Sequence, residues 1–183
     1  MPSEQPITIL GVDPGSQITG YGIIEIPHIQ ARNQFHLRDL GVFKAPRKLS
    51  YLERLLFMHT HLDEFIGRTK PNYGVFEKTY VSIHPQATIK LSETRGALIA
   101  ATSRHPITLC EMTATEAKKA ITGRGSTAKK DVALILKSML KTHTMLQKPQ
   151  KDDATDALAL ALAFALSMSF KNSVMSVTPL RKT

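Results

Sequence analysis

One cysteine, no tryptophan and only 6% aromatic residues set the first limits on this chain of 183 residues. A single thiol closes no internal disulfide and builds no cysteine-based zinc site. Cys110 lies in the apolar run Ile-Thr-Leu-Cys, which reads as a buried structural thiol. Long hydrophobic runs are also lacking. The longest, Ala157–Leu166, has ten residues, against the roughly 20 that cross a bilayer. The opening Met-Pro-Ser-Glu-Gln-Pro has neither a basic n-region nor an apolar h-region, so a cytoplasmic protein without a membrane partner is expected. Seven histidines offer no helical metal pair, because His59 and His61 are two apart and face different directions. Acid is the scarcer charge: 15 Asp+Glu against 24 Lys+Arg give a net charge of +9. That excess points to a polyanionic partner, nucleic acid before membrane.

The length suits one domain with a real core, expected over residues 1–170. Residues 171–183 carry basic groups without apolar periodicity and read as a mobile tail. Within the domain, Ile7–Asp13, Tyr21–Ile26 and Phe35–Lys44 read as strands separated by turn chemistry. Ser50 caps a predicted helix to about Thr69, with Leu52, Leu55, Leu56, Leu62, Phe65 and Ile66 as its apolar positions. A short strand Tyr73–Glu77, a helix from Pro85 to about Arg104 and a strand Ile107–Glu111 follow. Short helices then flank Gly123-Arg124-Gly125, and a last helix runs from Asp153 to about Met168. Three antiparallel strands feeding into alternating helices and strands predict an α/β fold, a mixed sheet with helices on both faces.

Three acidic sites stand at the edges of these elements. Asp13 and Glu77 each close a short apolar strand, and Asp153 and Asp156 open the last helix at a spacing that puts both on one face. Strand ends and helix starts lie at the edge of a sheet, so these groups can converge. Clustered carboxylates repel one another unless a divalent cation joins them, and oxygen-only ligation suits magnesium. Asp13 leads into the glycine-rich hairpin Pro14–Gly22, whose glycines allow a phosphate or metal to approach the backbone. Sugar-kinase and actin-like phosphate loops begin in the same way, but they need two domains to enclose a nucleotide. Asp-Pro-Gly is equally ordinary turn chemistry.

Gly-Val-Asp-Pro-Gly-Ser-x-x-Thr-Gly-Tyr-Gly, the acid of Val-Phe-Glu and the run Asp-Ala-Thr-Asp-Ala-Leu-Ala together resemble the RuvC family of bacterial Holliday-junction resolvases. The similarity extends from about Thr8 to Met168 in the right order and spacing. It implies an RNase H-like fold and a magnesium-dependent, dimeric endonuclease that nicks four-way DNA junctions in pairs, leaving 5′-phosphate and 3′-hydroxyl ends. The family's four catalytic, metal-binding acids fall on Asp13, Glu77, Asp153 and Asp156. Two shared Mg²⁺ ions per site, with Mn²⁺ as a substitute, would activate water and stabilise the leaving 3′-oxygen. Asp152 is left as a cap or outer acid.

The resemblance also places DNA-handling lysines on Lys118 and Lys129, on either side of the Arg124 loop. Residues 113–130 hold five basic groups and one acid, with Lys119 and Lys130 the better candidates for simple solvated charges. Tyr80 falls where the family carries an aromatic that stacks at the junction core. Lys78-Thr79 and Ile83 depart from the family pattern and leave the preferred cleavage sequence open. Symmetric nicks call for a C2 homodimer. The helix after Glu77, through Ala87, Leu91, Ala97 and Leu98, is the expected interface, although these positions serve a monomer core equally well. Cooperation with the RuvA–RuvB branch-migration complex is implied by resemblance alone. An RNase H-fold nuclease acting on structured RNA and a catalytically silent junction-binding protein are the rival readings.

Overall fold

The computed structural model describes residues 5–27, 34–78, 85–140 and 152–169. Its elements run β1 (Ile7–Asp13), β2 (Ile18–Ile26), β3 (His36–Lys44), α1 (Tyr51–Thr69), β4 (Tyr73–Glu77), α2 (Pro85–Ser103), β5 (Thr108–Met112), α3 (Ala114–Thr122), α4 (Lys129–Met139) and α5 (Asp152–Ser169). The strands form one sheet in the order β3-β2-β1-β4-β5. β1 pairs antiparallel with β2, and β2 with β3, whereas β1–β4 and β4–β5 are parallel. The mixed sheet is as expected: hairpin turns allow the antiparallel half, and the parallel half needs the crossover helices α1 and α2.

Alternation along the strands divides the core in two. Leu10, Val12, Ile23 and Phe76 face α1 and α2, meeting Met58, Leu62, Phe65, Ile66 and Leu98. Ile9, Ile24, Val75 and Met112 face the other way and meet Ala117, Val132, Leu136 and the apolar body of α5. Capping boxes start two of the helices, Ser50 with Glu53 at α1 and Thr113 with Glu116 at α3. Among the described residues, no helix is long and apolar enough to cross a membrane.

Most element boundaries agree with the sequence reading to within one residue. β2 begins three residues before Tyr21, because Ile18–Gly20 already pair with the ends of β1 and β3. Two core assignments change. Leu52 and Leu56 are 69% and 68% exposed, and the buried seam of α1 runs through the expected Leu62, Phe65 and Ile66 together with Met58. Leu98, which the sequence left open between a twin interface and a monomer core, is completely buried in the chain's own core. The tail and Tyr80 lie outside the described residues.

The glycines of the first hairpin have a use that the sequence reading did not give them. A β-carbon on Gly11 would collide with the Ala157 carbonyl oxygen, and one on Gly20 with that of Asp153. The backbone that approaches is therefore that of α5, which sits directly on β1 and β2. Gly11→Ala should lower stability by about 3 kcal/mol or more, since the obstruction is backbone and not a movable side chain. Urea unfolding tests this, and parent-like stability would mean that α5 is not seated by close backbone contact.

Candidate active site

The parallel register Val12↔Phe76 makes Asp13 and Glu77 the next residues on adjacent strands. Val12 and Phe76 both face α1 and α2, so alternation turns both carboxylates to the α5 side. The close seat of α5 on Gly20 brings its first turn, with Asp153 and Asp156, over the same end of the sheet. α3 also starts at this end, directly after β5.

The carboxylates act on one another. Burial, followed by the charges of Glu77, Asp156 and Asp153, pushes the Asp13 pKa up to about 7, with Lys129 opposing. Glu77 is raised as well, by burial and then by Asp156, while Lys129 and Lys118 pull it down. Lys129 Nζ donates to Asp156 Oδ2 at 2.5 Å, and that bond is the main reason its own pKa rises. The four acids predicted from sequence thus share one electrostatic neighbourhood. Asp153 is half-buried, whereas Asp152 is exposed and acts on Lys129.

A cleft of about 460 Å³ opens beside them, bordered by Asp13, Glu77, Asp152 and Asp156 and by Lys118, Lys129, Lys130 and Lys137 from α3 and α4. Its apolar floor includes Ala117, Val132 and Leu136. Lys118 and Lys129, the two lysines singled out in the sequence, both line this cleft. Lys130 borders the cleft too, although it read as a solvated charge, and Arg124 is exposed in the α3–α4 loop away from the lining.

Sequence reasoning missed Arg95. Its Nε donates to the Glu77 carbonyl oxygen at 2.9 Å, and its Nη2 pairs with Glu111. The half-buried guanidinium therefore ties α2 to the ends of β4 and β5 at the point where Glu77 leaves the sheet. A basic residue inside a helix carries no local signal of such a tertiary contact.

As they stand, no three of the described His, Cys, Asp and Glu side chains form a group that could hold a metal ion. The donor chemistry nevertheless fits a divalent cation. The groups are all oxygen donors, two are partly desolvated, and their mutual repulsion holds protons that a cation would displace.

Residues 9–164 match the family model described as crossover junction endodeoxyribonuclease RuvC. The chain is 34% identical over 160 residues to the crossover junction endodeoxyribonuclease RuvC of Neisseria meningitidis serogroup C, covering 87% of this chain and 85% of that one. It is 36% identical over 156 residues to the protein of the same description in Chlorobium phaeobacteroides, covering 85% and 80%. In fold it is similar to T. thermophilus RuvC, solved in complex with Holliday junction substrate, with a TM-score of 0.80 at 23% identity over 90% of this chain and 96% of that one. The sheet is therefore RNase H-like, and divalent-metal use follows from the family. With its motifs in order along nearly the whole matched length, the chain belongs to the RuvC family of crossover junction endodeoxyribonucleases.

Proposed function

We propose that this protein resolves Holliday junctions in homologous recombination and DNA repair, hydrolysing phosphodiesters on two opposed strands of a four-way junction. The observation that carries the reading is the convergence of Asp13, Glu77 and Asp156 at one end of the sheet, with Lys118 and Lys129 lining the same cleft. Asp13, Glu77, Asp153 and Asp156 would hold the metal, Mg²⁺ or in its place Mn²⁺, with two ions per site. When bound, the metal supplies the positive charge that polarises the attacking water and offsets charge on the leaving oxygen. Lys118 and Lys129 hold the scissile phosphate over these acids. The water oxygen bonds to phosphorus as the bond to the 3′-oxygen breaks. The water gives up one proton to solvent and the departing oxygen takes one from it, leaving 3′-hydroxyl and 5′-phosphate ends. Tyr80 stacks on an unpaired base at the junction centre, and Arg124 contacts the backbone beyond the cleft.

Paired nicks need two sites, so the protein works as a C2 homodimer. Leu98 is enclosed in its own subunit, which leaves Ile89 and Leu91 of α2, with Leu52 and Leu56 of α1, as exposed apolar groups for the twin. Tyr51 Oη, bonded to the Lys90 carbonyl at 2.9 Å and to Glu93 at 2.7 Å, holds the two helices together there. Residues 1–170 act as one nuclease domain with a basic tail, in the cytoplasm and alongside the RuvA–RuvB complex.

The test is cleavage of labelled mobile and fixed four-way junctions beside plain duplex, across a magnesium titration. Magnesium-dependent paired nicks in the junction, with the duplex intact, are expected. Tight junction binding without cleavage in Mg²⁺ or Mn²⁺ would make the protein a silent binder. Equal cleavage of an RNA of matched shape would move its substrate to RNA.

A further inference from the structure

We propose that the turn between β3 and α1, carrying Lys44, Arg47 and Lys48, is a second phosphate-binding surface that grips a duplex arm of the DNA beside the active site. This rests on the reading of the chain as a junction nuclease.

Strand register fixes where the turn sits. Asp13 lies opposite Gly20, Gly20 opposite Val42, and Ile18 opposite Lys44. Two inter-strand steps of about 4.8 Å and two residues of about 3.4 Å put the Lys44 backbone roughly 12 Å from that of Asp13, at the same end of the sheet. The major groove of B-DNA is about 12 Å wide. A duplex with one phosphate at the carboxylates therefore brings the phosphates across its groove to this turn. The turn leads into α1 on one face of the sheet, whereas Lys118 and Lys129 belong to helices packed on the other. The acidic site thus lies between two basic surfaces.

The turn is also held in shape. Ala45 N–H donates to the Gln17 carbonyl at 3.0 Å, Leu49 N–H to that of Pro46 at 3.2 Å, and Arg54 Nη1 to that of Leu49 at 3.0 Å. Binding there costs little ordering of the backbone. Its charge is uncompensated. Lys44, Arg47 and Lys48 are exposed and have no carboxylate partner among the described residues. Of the two acids near in sequence, Glu53 is engaged by the Ser50 backbone in the capping box and Asp39 accepts from the Leu40 N–H. Further along β3, Arg38 is paired with Glu25 at 2.5 Å. The unpaired cations of this edge thus gather at the active-site end.

The experiment compares Arg47→Ala/Lys48→Ala with Arg68→Gln/Arg104→Gln, which removes the same charge at the far ends of α1 and α2. Affinity for labelled junction and duplex is measured with Ca²⁺ over a salt series, and cleavage of saturating junction with Mg²⁺. The turn variant should lose at least roughly tenfold in affinity near 0.1 M salt, and its slope of log K against log salt should be shallower by about 1.8, at 0.9 per phosphate contact. Its cleavage rate at saturating DNA should match wild type, and the control should keep the wild-type slope. An unchanged slope in the turn variant, or an equal loss in the control, would overturn the proposal. If wild type cleaves no junction, the nuclease reading fails by itself, and the slopes still decide whether this turn binds DNA.

Discussion

Asp13→Asn should abolish cleavage and, in metal-free buffer, make the protein more stable as pH rises. Losing one ligand of the metal removes several kcal/mol of charge stabilisation, so the rate should fall at least about a thousandfold. The stability gain follows from the pKa near 7, raised first by burial and then by Glu77, Asp156 and Asp153. An unfolded chain releases this proton near pH 4, whereas the folded one keeps it to about 7. Stability from this group is therefore fully present below pH 4, declines as pH rises, and is lost above 7, where the fold must hold a buried charge. The difference between the ordinary value of 3.8 and about 7 is at most on the order of 4 kcal/mol. Asparagine keeps the shape without the charge. Urea unfolding in EDTA should show its advantage over wild type growing from pH 5 to pH 8 and shrinking when magnesium stabilises the wild type. Near-normal nicking would remove Asp13 from the ligand set. A pH-independent stability difference would mean that no repulsive cluster exists.

The site was more legible in the sequence than the packing that builds it. Asp13 and Glu77 could be read because each ends a short apolar strand, and because side-chain alternation sets which face a strand residue takes. Asp153 and Asp156 could be read because helical spacing is local. What sequence could not supply was the distance between α5 and the sheet. Gly20 read as room for a ligand, and nothing in its neighbours, or in those of Gly11, shows that the approaching group is the backbone of a helix far along the chain. The same limit explains Leu52 and Leu56. They share the helical spacing of the buried positions, but the seam facing the sheet passes through Met58 and Leu62. Arg95 and Lys130 take their meaning from contacts to other elements, which a one-dimensional pattern does not contain.

Neighbouring aspartates in Lys151-Asp152-Asp153-Ala-Thr-Asp156 provide the sharpest test of the helix register. Asp153→Asn should lose most cleavage, at least about a hundredfold, and Asp152→Asn little. Either residue meets Asp156 along a helix, at i, i+3 or i, i+4, but the two point about 100° apart around the axis. Asp152 borders the open cleft, which by itself favours it. Its charge, however, acts on the exposed Lys129, whereas that of Asp153 acts on the half-buried Asp13. Burial follows the same division, with Asp152 exposed and Asp153 half-buried. The Asp153 backbone is also held against Gly20, so its side chain starts from a fixed point beside β2. After burial, Glu77 and Asp156, the further acid that raises the Asp13 pKa is Asp153 and not Asp152, so a metal that neutralises Asp13 would meet Asp153 of the two neighbours. Magnesium titrations of junction cleavage, with Mg²⁺-dependent thermal stabilisation as a second readout, should show the Asp153 variant deficient in both and unrescued by high magnesium. The Asp152 variant should keep both curves close to wild type. The reverse ranking would shift the metal-binding face by one residue and turn α5 about 100° from the orientation that its seat on Gly20 imposes.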